Sequence, residues 1–252
     1  MKIALFILLF CLNLFGGVES FEKFVQEAVD DERPPSASFA VLRGDKILYE
    51  SSFGFNDAEK SQPTSLESPY HIFSITKILA ATLAMQLADE GALSLNDTID
   101  QYYPRFKAKY EDREVKVTLL NLLNHSSGIT DRSTEVRPMT DDSYYAYAKA
   151  NGIEVDEYIE LPYPPGSEAS YSSAEYVILS RIMEKATGET FDAMIKERIL
   201  RPADMERSGF TYTDAMAEDQ VHGTLQFFSL IGTIMRIVMD DENKDHYDGT
   251  TL

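Results

Sequence analysis

Ser74 and Lys77 stand three residues apart in the run His71-Ile72-Phe73-Ser74-Ile75-Thr76-Lys77-Ile78-Leu79-Ala80. That spacing is close to one helical turn, so on a helix the two side chains share a face. A serine at the start of a helix feels the positive end of its dipole. A lysine drawn out of water has a lowered pKa and can take a proton at neutral pH. One rigid element would then deliver a nucleophile and a base. A plainer reading stands beside this one: Ser74 caps a helix, and Lys77 stretches its head group outward. Four residues do not decide between them.

Tyr171 has the same double character. It follows the rigid turn Pro164-Pro165-Gly166 and precedes Ser172-Ser173 and a predicted helix over 174–186. Ser172 and Glu175 match a capping box, with Tyr171 and Tyr176 placed as a hydrophobic staple. That pattern accounts for the tyrosine without any chemistry. His125 and Ser126 read as polar residues at a helix end. The four histidines, His71, His125, His222 and His246, are too scattered for a metal-ligand spacing, and no glycine-rich phosphate loop occurs. No metal and no cofactor are expected.

The elements that must position these residues can be read in chain order. Residues 21–31 predict a short amphipathic helix ended by Pro34-Pro35, and 36–42 and 46–53 an antiparallel hairpin turned at Arg43-Gly44-Asp45. Residues 78–88 are apolar but for Thr82 and Gln86, and the helix they predict closes at Gly91. A helix apolar nearly all round is expected to be buried. Residues 92–104 read as a packed loop with a short turn. Residues 115–124 begin strand-like and become a short helix capped by Thr118. Between 130 and 165 only 141–150 has clear helical spacing, with Tyr144, Tyr145 and Tyr147 along it. A last helix is expected over 190–200, stopped by Pro202.

The chain of 252 residues suits one sizeable domain or a domain with a small subdomain. A formal net charge of −19 leaves no basic surplus to neutralise phosphates and excludes nucleic acid as an expected partner. Lys2 and the apolar run 3–15 resemble a secretory signal, with residues 1–20 removed by cleavage after Ser20. The protein is then expected to be secreted or periplasmic, touching a membrane only if that segment stays uncleaved. Its one cysteine, Cys11, falls inside the segment, so no disulfide framework is expected.

Taken together, these stretches resemble the serine β-lactamase and penicillin-binding-protein family, in its class C β-lactamase, esterase and D-alanyl-D-alanine carboxypeptidase branch. The resemblance rests on the hairpin, Phe73-Ser74-Ile75-Thr76-Lys77, Gly91-Ala92-Leu93-Ser94-Leu95, Tyr103-Pro104 and Leu122-Leu123-Asn124-His125-Ser126-Ser127-Gly128-Ile129. Pro165-Gly166, Tyr171-Ser172-Ser173, Gly188 and Arg201-Pro202-Ala203-Asp204-Met205 complete it, across roughly 37–212. It implies an α+β fold, an antiparallel sheet flanked by helices plus a mostly helical subdomain, here as a β-lactamase-like domain over 21–213. It also implies that Ser74 attacks a carbonyl, that Lys77 withdraws its proton or keeps Tyr171 as the phenolate that does so, and that Tyr171 passes the proton to the leaving group. The Ser74 amide N–H is implied as an oxyanion donor.

The chain departs from the family pattern twice. Ser173 stands where the family carries asparagine, and its shorter hydroxyl is expected to reach Lys77 only through water and to weaken substrate binding. The third family motif, which supplies the second oxyanion donor, is not recognised; His222-Gly223-Thr224 has related residues in the wrong order. Residues 214–252 are expected to be a non-matching tail, apolar over 225–239 and disordered over 240–252, on a domain truncated at its C-terminus. Two functions follow as expectations. One is a secreted serine hydrolase working through an acyl-Ser74 intermediate on an ester, amide or β-lactam of a small molecule or peptide. The other is a truncated or degenerate relative without turnover.

Overall fold

The computed structural model describes residues 17–31, 34–131, 133–210 and 213–222. They divide into two compact units, one formed by the residues up to His71 together with those after Phe210, the other by Ile72–Phe210.

In the first unit, helix α1 (Gly17–Asp30) lays Val25 and Val29 against Phe53, with Phe21, Phe24, Ala37 and Phe39 packed around them. The helix begins four residues before the predicted start at Phe21, and residues 1–16 of the expected signal segment lie outside the described residues. Strands β1 (Ser36–Arg43) and β2 (Lys46–Gly54) form the predicted antiparallel hairpin, each one residue longer than expected. Gly44 at φ +63° supplies the left-handed residue that a two-residue hairpin turn requires. Gly54 is needed for a different reason: a Cβ there would lie 2.2 Å from the Pro35 carbonyl oxygen. A short helix, Asp214–Asp219, belongs to the same unit. It is held by Asn56 Nδ2 donating to the Asp219 carbonyl at 2.9 Å and by Val221 N–H donating to Pro69 O at 2.9 Å. His222 donates its N–H to the Asn56 carbonyl at 2.8 Å; Gly223, Thr224 and the predicted 225–239 and 240–252 segments lie outside the described residues.

The second unit is mostly helical. A 3-10 turn, Phe73–Ile75, runs into α2 (Thr76–Asp89), and Gly91 at φ +75° follows its end as predicted. Ala80, Leu83, Ala84 and Leu87 are buried, whereas Ile78 and Met85 are exposed. The expectation of all-round burial is therefore corrected: apolar composition does not fix which face packs, and α2 buries one stripe. Helix α3 (Ile99–Tyr102) fills what read as a packed loop. Strands β3 (Ala108–Tyr110) and β4 (Arg113–Val115) turn through Glu111 and Asp112, both at positive φ, the geometry of a tight hairpin. Helix α4 (Leu119–Leu123) is capped by Thr118 as expected, with Asn121 completing the capping box. Between 130 and 165 the chain forms α5 (Ser133–Thr140), α6 (Asp142–Ala150) where helical spacing predicts a helix, and β5 (Ile159–Glu160), the last pairing parallel with β3. Helix α7 (Ser173–Thr187) ends at Gly188 in the left-handed conformation. Helix α8 (Phe191–Ile195) continues through a wider turn, Lys196–Leu200, and a 3-10 turn, Arg201–Ala203, that accommodates Pro202.

One core joins these helices. Leu83 and Leu87 of α2 meet Leu119 and Leu122 of α4, Leu179, Ile182 and Met183 of α7, and Met194 and Ile195 of α8. Each such side chain contributes roughly 1.5–3 kcal/mol on burial. Helices α2 and α7, at whose N-terminal ends the residues singled out by the sequence lie, are thereby fixed to a common interior.

Candidate active site

Ser74 lies in the 3-10 turn and Lys77 in the first turn of α2, so one continuous helical path sets their spacing. Phe73, immediately before Ser74, sits at φ +44°. A non-glycine residue there stores on the order of 1–3 kcal/mol of backbone strain. Tyr171 precedes the N-cap of α7, and Ser173 opens that helix.

All four predicted site residues come together. The Ser74 and Tyr171 hydroxyls share a short hydrogen bond. Lys77 Nζ donates to Tyr171 Oη at 2.7 Å, to Ser74 Oγ at 3.3 Å and to Ser173 Oγ at 3.3 Å. The expectation that Ser173 reaches Lys77 only through water is corrected: the start of α7 lies close enough for direct contact despite the short side chain. Lys77 is half-buried, and its three oxygen partners account for a lysine in a helix that otherwise feeds the core. The hydrogen bond from Lys77, then those with Ser74 and Ser173, lower the Tyr171 phenol from 10.0 to about 8. A phenolate is thus accessible near neutral pH, within hydrogen-bond reach of a serine. That arrangement can move a proton from serine to tyrosine and onward.

The predicted capping box at Ser172 is not formed; the Ser172 side chain makes no bond to its own helix. Asp131 does the capping from a separate segment, accepting from the Ser172 hydroxyl at 3.0 Å, the Ala174 N–H at 3.2 Å and the Ser173 N–H. Burial would raise this carboxyl, but hydrogen bonds from Ala174, Ser172 and Ser173, together with the Lys77 charge, hold it below its ordinary value. Glu175, the other half of the expected box, turns inward instead and bonds to His125 and Ser127. His125 is therefore more than a helix-end polar residue: its ring lies 4.7 Å from that of Tyr171. Sequence reasoning missed Asp131, Glu175 and Ser127. Glu175 did leave a signal, as a lone carboxylate on the same helical stripe as Ile178, Leu179 and Ile182. Asp131 left none. Among the described residues no cluster of three or more His, Cys, Asp or Glu side chains could hold a metal ion.

A serine, a lysine and a tyrosine joined by hydrogen bonds thus gather at the N-terminal ends of two helices of an α+β fold. The chain belongs to the Beta-lactamase family, whose sequence pattern matches residues 21–227. It is 26% identical over 205 residues to Protein flp of Staphylococcus aureus (strain N315), covering 81% of this chain and 41% of that protein. It is 27% identical over 207 residues to a putative D-alanyl-D-alanine carboxypeptidase of Escherichia coli (strain K12), covering 77% of this chain and 47% of the relative. Among solved structures, an octameric penicillin-binding protein homologue from Pyrococcus abyssi superposes with a TM-score of 0.66 at 25% identity, over 93% of this chain and 50% of that one. The chain thus spans half or less of the length of these relatives. Their fold, that of β-lactamases and penicillin-binding proteins, is the fold of this chain.

Proposed function

We propose that the protein is a secreted serine hydrolase that acts through an acyl-Ser74 intermediate on an ester, amide or β-lactam carried by a small molecule or peptide. The observation that supports this most directly is the Tyr171 hydroxyl, hydrogen-bonded at once to Ser74 and to Lys77 at 2.7 Å. In the acylation step, Ser74 Oγ forms a bond to the substrate carbonyl carbon and its proton passes to the Tyr171 phenolate. The tetrahedral intermediate then expels its leaving group, which takes the proton from Tyr171. Water, deprotonated by the same phenolate, cleaves the acyl-Ser74 ester and restores both residues. Lys77 stabilises the phenolate, and the Ser74 N–H is the proposed oxyanion donor. Residues 1–20 would direct export.

A second reading, ligand binding without turnover, is favoured by Ser173 in the asparagine position and by the 55% exposure of Tyr171, which leaves the cluster open to water. One experiment separates the two: labelling by a fluorophosphonate and a fluorescent penicillin, in parallel with Ser74→Ala. Covalent label that disappears in Ser74→Ala supports the hydrolase. Failure of both probes to label Ser74 in the folded protein would rule it out in favour of the binding protein.

A further inference from the structure

Behind the exposed cluster lies a second set of polar groups that the proposed reaction leaves unused. Glu175 has 0% exposure, in a helix whose neighbouring positions are apolar. A carboxyl there is costly unless its oxygens are bonded. Oε1 accepts from the Ser127 hydroxyl and from the Ser127 N–H at 3.3 Å, and Oε2 shares a hydrogen bond with His125 Nδ1. Burial pushes this carboxyl up, against the bonds from Ser127 and His125. The imidazole, fixed at that edge, packs at a tilt against two rings: Tyr171, with centroids 4.7 Å apart, and Tyr176, at 5.3 Å. Tyr176 is itself anchored by its hydroxyl donating to Leu123 O at 3.0 Å.

The backbone repeats the link. His125 sits at φ +60° and accepts from the Ser170 N–H at 2.8 Å, while Ser126 O accepts from the Gly166 N–H at 2.8 Å. A histidine in the left-handed region persists where its surroundings over-determine it. Tyr171 needs such support, because it lies outside the helix and no helical geometry fixes its ring.

We infer that Glu175 and His125 are positioning residues: the buried carboxyl locks the imidazole, and the imidazole holds the Tyr171 ring where its hydroxyl meets both Ser74 and Lys77. The functional meaning of this rests on the acyl-transfer reading; the orientation itself does not. The groups around the Tyr171 phenol are Lys77, Ser74 and Ser173 at its hydroxyl, His125 at its ring, Tyr176 close enough to feel its charge and Asp131 within the field of Lys77, with Glu175 acting through His125.

The test uses Glu175→Gln and His125→Asn in the full chain, asparagine being chosen because it tolerates positive φ. Tyr171 ionisation is followed by phenolate absorbance, isolated by difference from Tyr171→Phe. The wild-type transition is expected at about 8. In both variants it should rise toward the ordinary tyrosine value near ~10, and fluorophosphonate labelling of Ser74 should slow by roughly 10-fold or more. A merely structural role would lower melting temperature and leave the titration in place. Folded variants that titrate at the wild-type pH overturn the inference. Should either fail to fold, Ser127→Ala removes one bond to the carboxyl while keeping the ring; a raised transition there supports the inference and an unmoved one overturns it. Absence of Ser74-dependent label in the wild type would instead sink the acyl-transfer reading, and the titration would still decide the positioning.

Discussion

Two polar clusters meet at the start of α7, and they obey different physics. Ser74, Lys77, Tyr171 and Ser173 are partly or largely open to solvent, and their bonds converge on a lysine and a phenol. Glu175 and Ser127 are fully buried, and their bonds converge on a carboxyl with no water to replace a lost partner. In the first cluster a lost bond changes proton affinity, since solvent re-satisfies the group. In the second it leaves a buried polar atom unsatisfied, which costs about 1–3 kcal/mol of stability. The open cluster is thus suited to chemistry and the closed one to holding geometry. His125 is where they touch.

The largest effect that would expose this contrast is expected from Ser74→Ala. It should abolish covalent labelling and lower turnover by on the order of 10⁴-fold or more, with little change in melting temperature. A comparable residual rate in the variant would show that the open cluster is not the reactive one. Tyr171→Phe comes next. Its loss is expected to be about 10²–10⁴-fold, the range for removing a general acid–base group. In the wild type the rate should rise with pH through about 8, because the deprotonated phenol is the competent form, and level off above it. A pH profile that keeps the same limb in Tyr171→Phe would assign it to another group.

Asp131→Ala probes the seam between the clusters. Losing the cap of α7 should cost about 1 kcal/mol, read by thermal or denaturant unfolding. The sign of its pH dependence follows from the lowered Asp131 carboxyl. The contribution is complete above the ordinary aspartate value of ~4 and is lost as pH falls through the lower folded value. A wild-type and Asp131→Ala pair whose stability gap does not shrink in acid would contradict this account. The smallest effect is expected from Ser173→Ala, which removes one 3.3 Å contact from Lys77 and the weakest of the bonds that lower the Tyr171 phenol. Labelling should slow by less than about 10-fold, as for a single neutral partner. A larger loss would place Ser173 closer to the reaction than its geometry indicates.

Legibility in the sequence followed how local the cause was. The hairpin of β1 and β2, the Thr118 cap and the Gly91 helix end depend on residues a few positions apart, and the sequence shows each of them. The parallel pairing of β5 with β3 joins residues 108–109 to 159–160, and nothing in a two-residue strand announces such a partner. The expected capping box shows the limit most clearly. Ser172 and Glu175 have the right types at the right spacing, yet Asp131 takes over the capping and frees Glu175 to turn inward.

Ser74 and Lys77 could be proposed as a pair from the sequence because one helical turn brings them to the same face. Tyr171 could be nominated, but 94 residues separate it from Lys77, and only the packing of α2 against α7 through Leu83, Leu87, Leu179 and Ile182 brings the two together. The same packing turned Glu175 into the interior and His125 onto the tyrosine ring. Helical spacing is set by short-range backbone geometry, which the chain carries in its own order. Which distant side chains meet is set by how a shared core closes, and that is decided by the tertiary structure.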